Sequence, residues 1–199
     1  MFGGGRLLDF GCGNKPYECL FQCEEYIGCD IYESGHNSND KKVDVFYDGH
    51  TLPFNSESFD TILITQVLEH VQNFDEIFKE LVRVLKKNGI FIITVPFVGE
   101  EHEKPYDFRR FTSFGVKNFF DKYNIEILEI RKSTNYKNSI RFVKCMYSDN
   151  KYRQNKSLKN LLSRYLKCVT ENLKFILERE DVAGKDDLGI NIFAVGRKN

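Results

Sequence analysis

The residues best able to do chemistry in this 199-residue chain fall into two groups. The first is Asp9, Gly11 and Gly13 in Leu7–Tyr17 (LLDFGCGNKPY), where an apolar run ends in an acid and passes into a glycine-rich turn. Glycine takes left-handed conformations and carries no Cβ, so such a turn lets a ligand touch the backbone. An acid ahead of the glycines suits a ligand with a cationic group and repels a pyrophosphate. A dinucleotide site also wants a third glycine three places after the second, and Pro16 stands there. A tight turn with no ligand is the plainer account of Gly-Cys-Gly. Tyr26–Asp30 (YIGCD) follows as a second short strand, and its acid stands where an open α/β sheet offers a carboxylate to ribose hydroxyls. A surface Asp closing a strand is the alternative.

The second group lies in residues 96–112, PFVGEEHEKPYDFRRFT. Two prolines and a glycine stop regular structure there and mark a mobile segment rich in polar and aromatic side chains. His102 is the candidate general base, because an imidazole titrates near neutral pH, with Asp107 as the second catalytic candidate. Tyr106, Arg109 and Arg110 are the candidate substrate-binding residues, the guanidinium groups suiting a carboxylate or phosphate. A loop tied together by its own charges, with Glu100–Glu103 pairing an arginine, explains the same residues. His70 is read as structural.

These groups need a frame. Apolar runs predict strands near 6–10, 26–30, 43–46, 60–65, 90–95, 125–131 and 189–197, and helices near 16–23, 74–87, 113–122 and 157–179. Phe74, Ile77, Phe78, Leu81, Val82 and Leu85 recur at helical spacing, and Asn88-Gly89 is the expected stop. The alternation predicts an α/β fold with a doubly wound sheet. Chemistry then belongs at the carboxyl ends of the strands, where both groups fall.

Four motifs in order give a more specific reading: the glycine turn, VDVFYD with Asp48, Leu52-Pro53-Phe54, and SFDTILITQVLEHV from Ser58 to Val71. Together they resemble the class I S-adenosylmethionine-dependent methyltransferases, in particular a branch with LPF, SFD and VLEH motifs. The likeness covers about residues 6–120. It implies a Rossmann-like, mostly parallel seven-stranded sheet with an antiparallel last strand, and S-adenosylmethionine as cofactor. It further implies that Gly11 and Gly13 approach the cofactor's methionine part, Asp9 its amino group, Asp30 the ribose and Asp48 the adenine amine. Gln66 would lie beside the methionine end. Lys15 departs from the pattern, which often has a glycine there. The 96–112 loop is similar to an H-x-x-P-Y-D-F-x-R-F-T stretch in methyltransferases of bacterial surface-sugar pathways. That implies O-methylation of a sugar, free or lipid-linked, in a glycan or glycolipid pathway. RNA modification and a non-catalytic cofactor-binding scaffold are the rival readings. No NPPY segment, magnesium-binding Asp pair or G-x-S-x-G elbow points elsewhere.

The length suits one α/β domain, 1–199, carrying a basic helical insertion at about 132–187. No run of about 18 apolar residues is present, so no membrane span is expected. The six cysteines lack a paired CxxC arrangement and read as reduced thiols of a cytoplasmic protein, with no metal expected. A formal net charge of zero hides an asymmetry: residues 131–179 hold 13 Lys and Arg against 3 Asp and Glu. Leu158, Leu162, Tyr165, Val169 and Leu173 share one helical face there, apart from Lys159, Arg164 and Lys167. Three readings stay open: a helix with a solvated basic face, a homodimer contact, or a surface for an anionic substrate or membrane headgroups, with nucleic acid the weaker partner. The first strand opens at residue 6, so a cover for the cleft must come from upstream residues or from later in the chain.

Overall fold

The computed structural model describes residues 4–32, 41–133, 139, 143 and 189–199. Seven strands form one sheet: β1 Arg6–Phe10, β2 Glu25–Ile31, β3 Val45–Tyr47, β4 Phe59–Thr65, β5 Leu85–Pro96, β6 Ile125–Lys132 and β7 Asn191–Lys198. Two helices are described, α1 Phe74–Val84 and α2 Ser113–Lys122. The strand order is β3-β2-β1-β4-β5-β7-β6, with β3, β2, β1, β4 and β5 parallel to one another. β7 runs antiparallel to its neighbours: the Asn199 N–H at its end donates to Asn124 O, and the Lys198 ammonium donates to Leu85 O. The sequence order reverses between β1 and β4, and ligands bind at such a switch point, outside the carboxyl ends of the strands.

The central strands β1, β4 and β5 bury apolar residues on both faces of the sheet, as parallel strands do. Leu8, Phe10, Ile62, Ile64, Phe91 and Ile93 point toward α1 and α2 and pack with Ile77, Phe78, Leu81, Val116 and Phe120. Phe74, Phe78 and Phe119 interlock there, with ring centroids 5.0–5.5 Å apart. Phe78 is fully buried. Truncating such a ring to alanine costs about 3–5 kcal/mol. On the other face Leu7, Leu63 and Ile92 form a smaller cluster with Phe21, Tyr26 and Phe193.

Two elements differ from the sequence expectation. In place of a helix over 16–23 there is one 3-10 turn, Glu18–Leu20, none of whose residues is buried. Leu20 is left largely exposed. Helix α1 ends at Val84, not 87. Phe59 on β4 pairs with Leu85 and pulls the chain into β5 at once. Asn88, at φ +61°, then makes a turn inside that strand before pairing resumes at Ile90.

A second compact unit comprises residues 98–100 and 132–191. Most of the basic insertion, including the expected helix 157–179, lies outside the described residues. Among the described residues no helix is long and apolar enough to cross a membrane.

Candidate functional site

A cleft of about 920 Å³ opens over the carboxyl ends of β1 to β4. It is lined by Gly11, Gly13, Asp30, Asp48, Gln66 and Tyr106, which the sequence reading singled out from five separate segments. Asp9, His102, Asp107, Arg109 and Arg110 do not line it.

At the glycine-turn end the backbone makes the wall. Gly11, at φ +72°, donates its N–H to Cys29 O at 2.7 Å, and a Cβ there would stand 2.3 Å from a Val67 methyl. Gly13, at φ +51°, faces open space, and its N–H donates to Asp30 Oδ2 at 3.1 Å. Asp30 Oδ1 accepts from the Ile31 N–H at 2.7 Å and from the Lys41 ammonium at 3.1 Å. Asp48 closes a turn, its Oδ1 accepting from the Thr51 and His50 N–H groups, which hold its pKa low. Lys15 also takes a positive φ, +56°, and its ammonium bonds Asp44. Gln66 is left-handed too, at φ +55°, and is pinned by its N–H to Thr94 O and its Nε2 to Thr94 Oγ1. Lys15, Glu57, Asn88, Glu103 and Asn124 share such a φ, so the conformation marks turns in this chain as well as the cleft wall.

Asp9 stands behind this wall. The alternation along β1 turns it away from Leu8 and Phe10. Its Oδ2 accepts from Tyr26 Oη at 2.7 Å. Burial pushes its pKa up to about 6 despite that hydrogen bond.

The other end is made by the turn after β4 and the loop after β5. Sequence reasoning treats the loop as mobile, but the structure ties it down. The Phe108 N–H donates to Glu69 O at 2.9 Å, His70 Nδ1 lies 2.9 Å from Tyr106 O, and the Phe111 N–H donates to Pro96 O at 2.9 Å. Both arginines take part in this tying. Arg109 donates to Leu68 O, Val71 O and Gln72 O and lies over the Phe74 ring. Arg110 grips both oxygens of Asp107, which is 2% exposed, and holds its pKa well below the usual carboxylate range. Asp107 Oδ2 in turn accepts from the His102 N–H at 2.9 Å and lies 3.3 Å from His102 Nδ1.

Sequence reasoning missed the pair beside them. His70, read as structural, lines the cleft, and its ring stands edge-to-face with that of His102, centroids 4.8 Å apart. Glu69 is fully buried, and neither of its carboxylate oxygens has a hydrogen bond; burial raises its pKa to about 7, against the pull of its own N–H and Arg110. The available signal was an acid inside an apolar run, Val67-Leu68-Glu69-His70-Val71, where a charge needs a reason.

Residues 8–93 match the methyltransferase domain family Methyltransf_11. That stretch, less than half of the chain, is similar to a methyltransferase domain. An uncharacterized protein of Methanocaldococcus jannaschii is 32% identical over 141 residues, 67% of this chain and 65% of its own length. The Arabidopsis thaliana tRNA (carboxymethyluridine(34)-5-O)-methyltransferase is 36% identical over 97 residues, 46% of this chain and 24% of that one. Haemonchus contortus phosphoethanolamine N-methyltransferase 2, solved with S-adenosyl-L-methionine, superposes with a TM-score of 0.58 at 18% identity, over 100% of this chain and 49% of that one. The chain thus spans less than two thirds of each of these relatives. Its fold is that of the class I S-adenosylmethionine-dependent methyltransferases.

Proposed function

We propose that the protein transfers the methyl group of S-adenosylmethionine to a hydroxyl oxygen of a sugar in a cell-surface glycan or glycolipid pathway. The observation that carries this is the continuous cleft running from a glycine turn and a strand-end carboxylate to His70, Tyr106 and Phe108. The cofactor fits the first end. Gly13 leaves open space where a Cβ would project, and Asp30 reaches the cleft from the end of β2. Asp30 would take the ribose hydroxyls, Asp48 the adenine amine, and Gly11, Gly13 and Gln66 the methionine part. Asp9 adds negative charge from behind the turn without touching the ligand.

When bound, S-adenosylmethionine supplies a methyl group on a positively charged sulfur, and in-line placement of a nucleophile provides most of the acceleration. The residues of the chain do the placing. Tyr106 and Phe108 wall the acceptor end beside His70, and His102, packed on the His70 ring outside the lining, would take the hydroxyl proton. Asp107 orients His102, and Arg109 and Arg110 hold the loop in place. The 13 basic residues of 131–179 would favour an anionic acceptor, such as a sugar on a lipid phosphate.

Methylation of RNA is the second reading, favoured by the plant relative's named activity and by the same basic segment. Incubating the full chain with methyl-labelled cofactor and two panels, nucleotide- and lipid-linked sugars and transfer RNA, separates the two. Label on a sugar hydroxyl is the expected result. Label in RNA would favour the second reading, and S-adenosylhomocysteine binding without transfer to either panel would favour a scaffold.

A further inference from the structure

The buried carboxylate of Glu69 needs an account that proton transfer does not supply. Its Oε1 lies 3.9 Å from His70 Nε2, an atom that is also buried without a hydrogen bond. One ligand atom each from Glu69, His70 and His102 lies within 4.8 Å of the other two. From this geometry we propose that Glu69, His70 and His102 form a site for a divalent transition-metal cation of the zinc class.

Three features carry the assignment beyond proximity. First, each imidazole is oriented as a ligand would be. His70 Nδ1 faces Tyr106 O at 2.9 Å, which puts the ring proton there and leaves its buried Nε2 to act as a ligand, and His102 Nδ1 lies 3.3 Å from Asp107 Oδ2. A backbone carbonyl and a carboxylate are the usual outer partners of metal-bound histidines. Second, the charge suits a dication: Glu69, Glu103 and Asp107 surround the place, against the guanidinium of Arg110. Third, two imidazoles and one carboxylate match zinc, nickel or iron, whereas magnesium and calcium want oxygen ligands throughout. Ligand atoms around a tetrahedral zinc stand roughly 3.5 Å apart, so small side-chain rotations close the set.

The cation would lie beside His70, at the acceptor end of the cleft. It would compete with protons for the same lone pairs, so a loaded cluster serves the acceptor as an oxygen-binding centre instead of a free base. That consequence rests on the proposed direction of the cleft; the site itself does not.

The test uses the full chain, stripped with EDTA and titrated with zinc chloride and magnesium chloride by calorimetry, without any acceptor. The expected result is one zinc bound per chain, no comparable uptake of magnesium, and loss of zinc affinity in Glu69→Gln and His102→Gln. Asp107→Asn, changing an outer partner, should weaken zinc by about 10–100-fold. S-adenosylhomocysteine affinity should stay unchanged in all three, which separates a lost metal site from a lost fold or a wrong cofactor reading. In the native chain zinc should also shift the ring resonances of two of the four histidines, a readout needing no variant. Absence of zinc uptake would overturn the site. So would uptake undiminished in both ligand variants with unmoved imidazoles, which would place the metal on thiols such as Cys19 and Cys23.

Discussion

The two ends of the cleft solve the same problem, holding polar groups near a ligand, in opposite ways. At the glycine-turn end, Asp48 accepts backbone N–H groups of its own turn, Asp30 accepts those of Ile31 and, from the turn after β1, Gly13, and Gly11 and Gly13 expose main chain. At the other end the polar groups are side chains from two segments well separated in sequence, stitched through Asp107, Arg109 and Arg110, with one buried carboxylate left unbonded. The first end is a property of strand ends and turns. The second exists only once β4 and β5 lie side by side. Replacing side chains should therefore harm binding at the first end gradually, and chemistry at the second abruptly.

The largest expected effect is at the second end. His102→Ala should lower methyl transfer by about a hundredfold or more, since general-base help is typically worth 10² to 10⁴. S-adenosylhomocysteine affinity should hardly move, because that ring packs on His70 and faces Asp107, away from the glycine turn. A variant that lost cofactor affinity along with turnover would break the comparison, making the two ends one unit.

Next comes Asp30→Ala, at the first end. Two ribose hydroxyls would lose a charged acceptor, and such hydrogen bonds are worth roughly 1.5–3 kcal/mol. Cofactor affinity should fall about tenfold to a hundredfold, read by calorimetry. Gly13 would also lose the partner of its N–H, so an intact thermal transition must accompany the result. Unchanged affinity would remove Asp30 from the site.

This contrast also explains what could be read in advance. That Gly11, Gly13 and Asp30 lie together is legible because a strand-end acid and a glycine turn are local patterns, and both strands fall where the chain's apolar runs put them; Asp9, read in the same way, turns behind the wall. The Glu69–His70–His102 cluster depends on loop 96–112 folding back over the turn after β4, which no spacing encodes. The partners of Arg109 and Arg110 are not legible for the same reason: an arginine facing a substrate and one bound to carbonyls or to Asp107 look identical in a string of letters. The early end of α1 is a third instance, set by the pairing of Leu85 with Phe59 and not by Asn88-Gly89.

A smaller effect tests the unbonded carboxylate. Burial raises the pKa of Glu69 from 4.5 to about 7, so between those values the folded chain binds more protons than the unfolded one. Stability is therefore full below about pH 4.5 and falls as pH rises through 7, by on the order of 3 kcal/mol at most. Glu69→Gln removes the charge, so urea denaturation in EDTA should find the variant more stable than the native chain by about 1–3 kcal/mol at pH 8, and little different at pH 5. Adding zinc at pH 8 should reverse the order if the cation occupies the cluster. Parallel pH profiles for the two proteins would mean that Glu69 is compensated, and that this end resembles the first after all.

The smallest effect is expected from Lys15→Gly, which probes whether the glycine-turn end really rests on backbone. The lysine sits at φ +56°. For an L-residue that left-handed conformation costs roughly 1–2 kcal/mol, which glycine would relieve. Against this stands the ion pair with Asp44, half-exposed on the acid's side. Such a pair is worth about 0–1 kcal/mol. The ammonium also lies over the Tyr26 ring, 5.7 Å from its centroid. That contact adds about 0.5 kcal/mol. Glycine further loosens the unfolded chain, by about 0.4–1 kcal/mol. These contributions nearly cancel, so denaturation should move by less than about 1 kcal/mol in either direction. Cofactor affinity should stay within about threefold, because the groups facing the cleft are the main chain of Gly11 and Gly13 and the carboxylate of Asp30. A tenfold loss of affinity at unchanged stability would show that a side chain, and not the turn itself, shapes this end.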